Sequence, residues 1–206
     1  MTSTREPAVD ERLLRRRECF VAAAEQLFME QGVERTALAD VVKRAGGSLA
    51  TLYKLFGGKA GLLEAVMVSR VEQSGLRMVE FAAAACSPRE VLLRLARDLR
   101  HRSVDPAEIA LSRVVITSSI EDPEFASRFY GRTIVEARGQ LERLFAHWRD
   151  AGQALTAEPA LLSAMFLGMF IYEVHSQAIS HGSICEGDDS CLERKVAFFC
   201  QAAGLG

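Results

Sequence analysis

Apolar residues recur along this chain at helical spacing, three or four apart, from Leu13 to Phe199. The first run, Leu13, Leu14, Phe20, Val21, Ala24, Leu27 and Phe28, predicts a helix over 11–31 that stops at Gly32. Residues 1–10 lack such a pattern and are expected to form a disordered arm. Two short segments follow. Leu38, Val41, Val42 and Ala45 share one face of a helix that Thr36 can cap, and Gly46-Gly47 ends it where a positive φ is tolerated. Ser48 can cap a second short helix that buries Leu52, Leu55 and Phe56 and displays Leu49, Ala50, Thr51, Tyr53 and Lys54. Gly57-Gly58 closes it. Lys59 then opens a long helix through Leu62, Leu63, Val66, Val71 and Val79 to about Ala85.

Three cap residues, each followed by proline, start the next helices: Ser87-Pro88 with Glu90, Asp105-Pro106 with Glu108, and Asp122-Pro123 with Glu124. They predict helices near 88–102, 106–119 and 123–151, with Gly152 as a stop, followed by helices near 157–181 and 189–203. No strand pattern and no internal repeat is evident, so the fold class is all-α. The helix at 157–181 is apolar almost all round, so it needs cover on both sides. One side would face its own core and the other a second copy of the chain, with Gly168 permitting close approach. Together with the last helix this predicts a two-fold four-helix bundle whose interface includes Phe170, Leu192, Val196 and Phe199. A helix through the middle of a monomer is the plain alternative.

A short helix held by its predecessor, with its start facing outward, is the geometry that enters a DNA major groove. Total charge alone argues against that, with 25 basic and 27 acidic residues. Its distribution argues for it. From Arg35 to Lys59 there are five basic residues (Arg35, Lys43, Arg44, Lys54 and Lys59) against the single acid Asp40, and Arg15, Arg16 and Arg17 add a cluster upstream. No apolar run approaches the ~20 residues that span a bilayer. The N-terminal stretch has no apolar core for a signal peptide, so a cytoplasmic location is expected. The five cysteines have no zinc-ligand spacing and are expected as free thiols, Cys19 and Cys200 on apolar helix faces. Cys185 and Cys191 flank an acidic loop and are conceivable as a redox pair.

Residues 12–67, above all TALADVVKRAGGSLATLYKLFGGKAGLLEAVM, resemble the DNA-binding domain of TetR-family transcriptional regulators. The run A-G-x-S-x-x-T-L-Y-x-x-F-x-x-K followed by Leu-Leu carries the likeness, and SIEDPEFASRFYGR resembles the C-terminal part of AefR-like members. The resemblance implies a disordered arm over 1–10, a helix-turn-helix domain over 11–58 and a helical effector-binding and dimerisation domain over 59–206. Tyr53 and Lys59 stand where the family places phosphate contacts, Thr36 and Ser48 at caps that present backbone N–H groups to phosphates, and Lys43, Arg44 and Lys54 in the basic surround. Leu49, Ala50 and Thr51 hold the groove-facing positions. Two departures stand out: Gly47 replaces a commonly buried apolar residue, and Gly57-Gly58 replaces a more polar pair.

The family also implies a small-molecule effector in the C-terminal domain. Candidate lining residues are Phe125, Phe129, Tyr130, Phe145, Trp148, Met165, Phe166, Met169 and Tyr172, with Met78 and Phe81 from the long helix and His175 as a polar anchor. Ordinary core packing is the alternative for each. Expected partners are therefore operator DNA, a second copy of the chain and an apolar effector, with no membrane, cofactor, metal or catalytic residue. No phosphate loop, HExxH or G-x-S-x-G motif points to an enzyme. A helical module that has lost operator binding is the other competing reading.

Overall fold

The computed structural model describes residues 6–83, 86–180 and 188–205, with side chains throughout except at 6–10, 74 and 76–83. All regular structure among the described residues is helical. In order, these are α1 (Glu6–Gln31), α2 (Leu38–Ala45), α3 (Leu49–Phe56), α4 (Lys59–Ala83), α5 (Pro88–Val104), α6 (Pro106–Glu121), α7 (Pro123–Tyr130), a π-helical segment (Gly131–Val135), α8 (Glu136–Asp150), α9 (Pro159–Ser180) and α10 (Asp189–Ala203).

Helix α1 begins at Glu6, so the second half of the expected arm is helical, and residues 1–5 lie outside the described part. Pro7 sits in the first turn, where its missing N–H breaks no helical bond. The helix expected over 123–151 is interrupted by one π turn. Backbone angles at Tyr130 and Val135 stay right-handed helical, so the rod continues through it. Thr133, Ile134 and Val135 are consecutive β-branched residues after Gly131, and the Thr133 hydroxyl donates to the Phe129 carbonyl at 2.6 Å. That sequence disfavours a tight α turn at this point.

The three proline-led starts form as their chemistry requires. Ser87 and Glu90 make a reciprocal capping box. Asp105 accepts from the N–H groups of Ala107 and Glu108, at 2.8 and 3.2 Å. Asp122 accepts from those of Glu124 and Phe125, at 2.9 and 3.0 Å. Asp188 caps α10 in the same way, accepting from the Cys191 N–H at 3.1 Å.

The chain divides into two compact units, Met1–Arg70 and Val71–Gly206. The first unit thus includes the opening turns of α4 as well as α1–α3. Its core holds Phe20, Leu27, Phe28, Val41, Leu52, Leu62, Leu63 and Val66. Arg70 Nε donates to Glu25 Oε1 at 2.7 Å, tying α4 to α1. In the second unit α5, α8, α9 and α10 enclose one core. Phe166 lies at its middle, with ring centroids 5.3 Å from Phe170 and 5.2 Å from Phe199.

That core corrects the expected dimer contacts. Phe170, Leu192, Val196 and Phe199 are buried inside their own protomer and leave no surface for a second copy. On that side α9 packs against α5 and α8, with α10 closing the same core. Its opposite side carries Leu161, Met165, Tyr172 and Ile179, all exposed, and α10 adds exposed Phe198. Cys19 is likewise exposed rather than on the apolar face of α1, whereas Cys200 is buried and burial raises its thiol pKa. Cys185 lies outside the described residues.

Candidate nucleic-acid interface

The α2–α3 turn is built by glycines and one serine. Gly46 and Gly47 have φ of +73° and +108°, values an L side chain rarely adopts. Ser48 then takes an extended conformation and its Oγ accepts from the Thr51 N–H at 3.2 Å, capping α3. At the other end Gly57 is left-handed, and its N–H bonds the Tyr53 carbonyl at 2.8 Å. Between these caps Leu52 is fully buried while Leu55 and Phe56 are half-buried. Phe56 meets Phe20 edge-on, with centroids 6.2 Å apart. The helix is thereby fixed along one side, leaving Leu49, Ala50, Tyr53 and Lys54 exposed and Thr51 half-buried against the Ser48 hydroxyl at 2.9 Å.

Several residues expected at the interface are otherwise engaged. Thr36 is fully buried and does not cap α2, whose N-cap is Ala37. Its hydroxyl donates to the Gly32 carbonyl at 2.8 Å and its N–H goes to Val33, so it closes the α1–α2 turn. Lys59 Nζ donates to the carbonyls of Val33 and Glu34, at 3.0 and 3.1 Å, and joins the start of α4 to that turn. Arg44 pairs with Glu30 at 2.8 Å, which holds the Glu30 carboxyl below its usual range. Lys43 and Lys54 are exposed and make no ion pair among the described residues.

The upstream arginine cluster is also partly structural. Arg16 Nη1 donates to the Ala45 carbonyl at 3.2 Å, at the end of α2. Arg17 places its guanidinium carbon 5.8 Å from the Phe56 ring centre. Arg15 pairs with Glu11. In sequence these look like a phosphate-binding cluster, because a spacing of one residue says nothing about which arginine turns inward.

The effector candidates in the second unit separate into distinct places. Phe129 and His175 line a cavity of about 390 Å³ between α6, α7, the π segment and α9. Phe166 lines a smaller one, about 100 Å³, with Val71, Leu95, Leu99 and Leu141. Phe145 and Trp148 are core residues in edge-on contact, and Phe125 stacks on Phe129. Met169 is half-buried against the same core. Met165 and Tyr172 are 57% and 63% exposed on the outer side of α9 and line neither cavity. The side chains of Met78 and Phe81 lie outside the described part.

Comparison with known proteins decides what this arrangement is. Residues 20–66 match the bacterial regulatory proteins of the tetR family. Residues 90–202, more than half of the chain, match the C-terminal domain of AefR-like transcriptional repressors. The chain is a TetR-family transcriptional regulator.

It is 29% identical over 148 residues to the HTH-type transcriptional regulator YezE of Bacillus subtilis (strain 168), covering 68% of this chain and 73% of YezE. A regulator from Mesorhizobium loti MAFF303099 assigned to the TetR family superposes with a TM-score of 0.71 at 23% identity, over 92% of this chain and 97% of that one. FadR from Bacillus subtilis, in complex with stearoyl-CoA, superposes with a TM-score of 0.64 at 16% identity, over 92% of this chain and 99% of that one. The two superpositions show the shared fold. As a TetR-family member the protein is a DNA-binding regulator of transcription and not an enzyme. No helix among the described residues is long and apolar enough to cross a membrane.

The regulator also uses residues that the sequence does not flag. Gly61, near the start of α4, sits where an added Cβ would lie 2.0 Å from the Phe56 carbonyl oxygen. Arg16 and Arg17 position the turn and α3. Leu161, Met165, Tyr172 and Ile179 form an exposed outer stripe of α9, with Ile179 also at the rim of the cavity beside α6 and α7. Its spacing is visible in the sequence, but a helix apolar on all sides carries a second stripe of equal strength.

Proposed function

We propose that this TetR-family regulator is a dimeric, cytoplasmic repressor that a small apolar effector releases from a pseudo-palindromic operator. The supporting observation is the exposed outer side of α9. Leu161, Met165, Gly168 and Tyr172 follow one another at intervals of three or four residues, and a Cβ added at Gly168 would meet nothing within 4 Å. Large side chains flanking a glycine, with Phe198 exposed on α10, suit the close two-fold crossing of a helix pair. Exposed apolar patches of this kind mark association surfaces.

In a dimer the two copies of α3 would read half-sites about one helical turn apart, roughly 34–36 Å. Leu49 and Ala50 would meet thymine methyls, Thr51 a base edge or phosphate, and Tyr53, Lys43 and Lys54 the phosphates. Ser48 would contribute the N–H groups at the start of α3. Lys59 and Thr36 would act by holding the α1–α2 turn in place. Helix α4 belongs to both units by sequence, so an effector that favours one position of α4 would change the spacing of the reading heads. The shift is limited by the effector's differential affinity for the two states.

Sedimentation equilibrium and footprinting on a recovered operator test this directly. The wild type should be a dimer protecting two half-sites. Met165→Asp and Tyr172→Asp should be folded monomers with protection lost or reduced to one half-site. A monomeric wild type, or a Met165→Asp variant that remains fully dimeric, would overturn the proposal.

A further inference from the structure

We infer that the cavity between α6, the π segment and α9 binds a neutral, mainly apolar small molecule bearing one hydrogen-bonding group. This rests on the effector-responsive reading above and specifies its site and ligand class. The cavity measures about 390 Å³, within the range of small-molecule sites, and the smaller one in the same unit, about 100 Å³, is not. Its inner walls are the side chains of Val115, Ile116, Phe129 and Ile134, and the exposed Ile120, Tyr130 and Ile179 form its open rim, with no charged residue among the described residues that line it. A carboxylate, phosphate or ammonium group set against the inner walls would lose part of its hydration and find no counter-charge among the described lining residues. Asp98 and Arg102 line the smaller cavity instead.

Two polar groups break the apolar surface. Ser119 Oγ is buried and has no hydrogen-bond partner among the described residues, an unusual condition for a buried hydroxyl. His175 is half-buried on the facing side of α9 and lines the same space. A ligand hydroxyl, amide or ketone placed between them would satisfy Ser119 and orient the molecule, while its apolar body fills the rest.

The π segment supplies an adaptable wall. Tyr130 and Ile134 line the cavity from its two ends, so a change of that wide turn toward α geometry would move both side chains. Single π turns inside α-helices are frequent at functional sites for this reason. A third space, lined by Arg97, Arg100 and His101, has its arginines paired with Glu193 and Asp189 and offers no comparable apolar body.

The test titrates the full chain with N-phenyl-1-naphthylamine, a neutral apolar fluorophore with one N–H, and then displaces it with 1-decanol or decanoate. Ala126→Phe narrows this cavity from α7, Ala137→Phe fills the smaller one, and Ser119→Ala removes only the hydroxyl. Circular dichroism establishes that each is folded. The expected result is one probe per chain, at least about tenfold weaker binding in Ala126→Phe, and little change in Ala137→Phe. Decanol should displace the probe at about tenfold lower concentration than decanoate, and Ser119→Ala should weaken decanol roughly three- to tenfold.

Loss of binding in Ala137→Phe alone would place the ligand in the other cavity, overturning this site while leaving an effector-responsive regulator intact. Preferential displacement by decanoate would overturn the neutral class. Absence of probe binding, or an Ala126→Phe variant whose sedimentation changes while its probe binding does not, would overturn the inference and assign the groove to contact between copies. The broader reading fails separately, if apolar compounds that bind the protein leave operator affinity unchanged.

Discussion

Gly61 brings the end of α3 against the start of α4 with no room for a methyl group. Alanine ordinarily gains about 1 kcal/mol over glycine inside a helix. Here its Cβ would lie 2.0 Å from a backbone oxygen, which no side-chain rotation relieves. Overpacking of this kind costs about 1–3 kcal/mol, so the clash outweighs the helical gain. Gly61→Ala should therefore lower the urea midpoint of the N-terminal transition and weaken operator binding about tenfold. A variant as stable as the wild type, with unaltered affinity, would show that the contact does not matter. The same scale explains why the positive cluster in the sequence overstates the DNA-facing charge. Arg16, Arg44 and Lys59 lie in the same basic region as Lys43 and Lys54, but their partners (Ala45, Glu30, and the Val33–Glu34 turn) are 14 to 29 residues away in the chain. Such pairings follow from how the helices cross, which local spacing does not encode.

At the scale of elements, the helix starts were legible because each is a local chemical device. The Ser87–Glu90 box needs only four consecutive residues, and both halves of it form. Ser87 donates through its N–H and its hydroxyl to Glu90 Oε2, at 2.8 and 2.9 Å, which holds the carboxyl below the usual glutamate range. A depressed folded pKa gives stabilisation that is present above the unfolded value and is lost as pH falls through the folded one. The difference in urea midpoint between wild type and Glu90→Ala should thus be present at pH 7. It should shrink below about pH 4.3, the unfolded glutamate value, and vanish once Glu90 is protonated in both states. A pH-independent difference would mean that the carboxylate's charge contributes nothing. The orientation of α9 was not legible in this way. Phe166 and Phe170 face the core, Met165 and Tyr172 face out, and spacings of four and seven residues both keep a pair on one helical face. Only the placement of α5, α8 and α10 around α9 distinguishes the two faces. The π turn was equally hidden, since it shifts the helical register without ending the helix.

For the whole molecule, the all-helical class follows from patterns that run through the entire chain, and the family matches cover residues 20–66 and 90–202. The cavity beside the π segment is different, because it requires α6, α7 and α9 to meet. We propose that α3 carries a specific DNA-reading surface despite the acidic net charge of −2. Its most direct test is to recover an operator from genomic fragments with the immobilised protein, then measure affinity for it across a range of salt. Wild type, Lys54→Ala and Tyr53→Ala would be compared. Binding should be saturable, with the logarithm of affinity falling linearly with the logarithm of salt concentration and a slope smaller by about 1 in Lys54→Ala. Tyr53→Ala should weaken binding to the operator at every salt concentration. Folded wild-type protein that binds no fragment better than random DNA, or variants indistinguishable from it, would contradict the account.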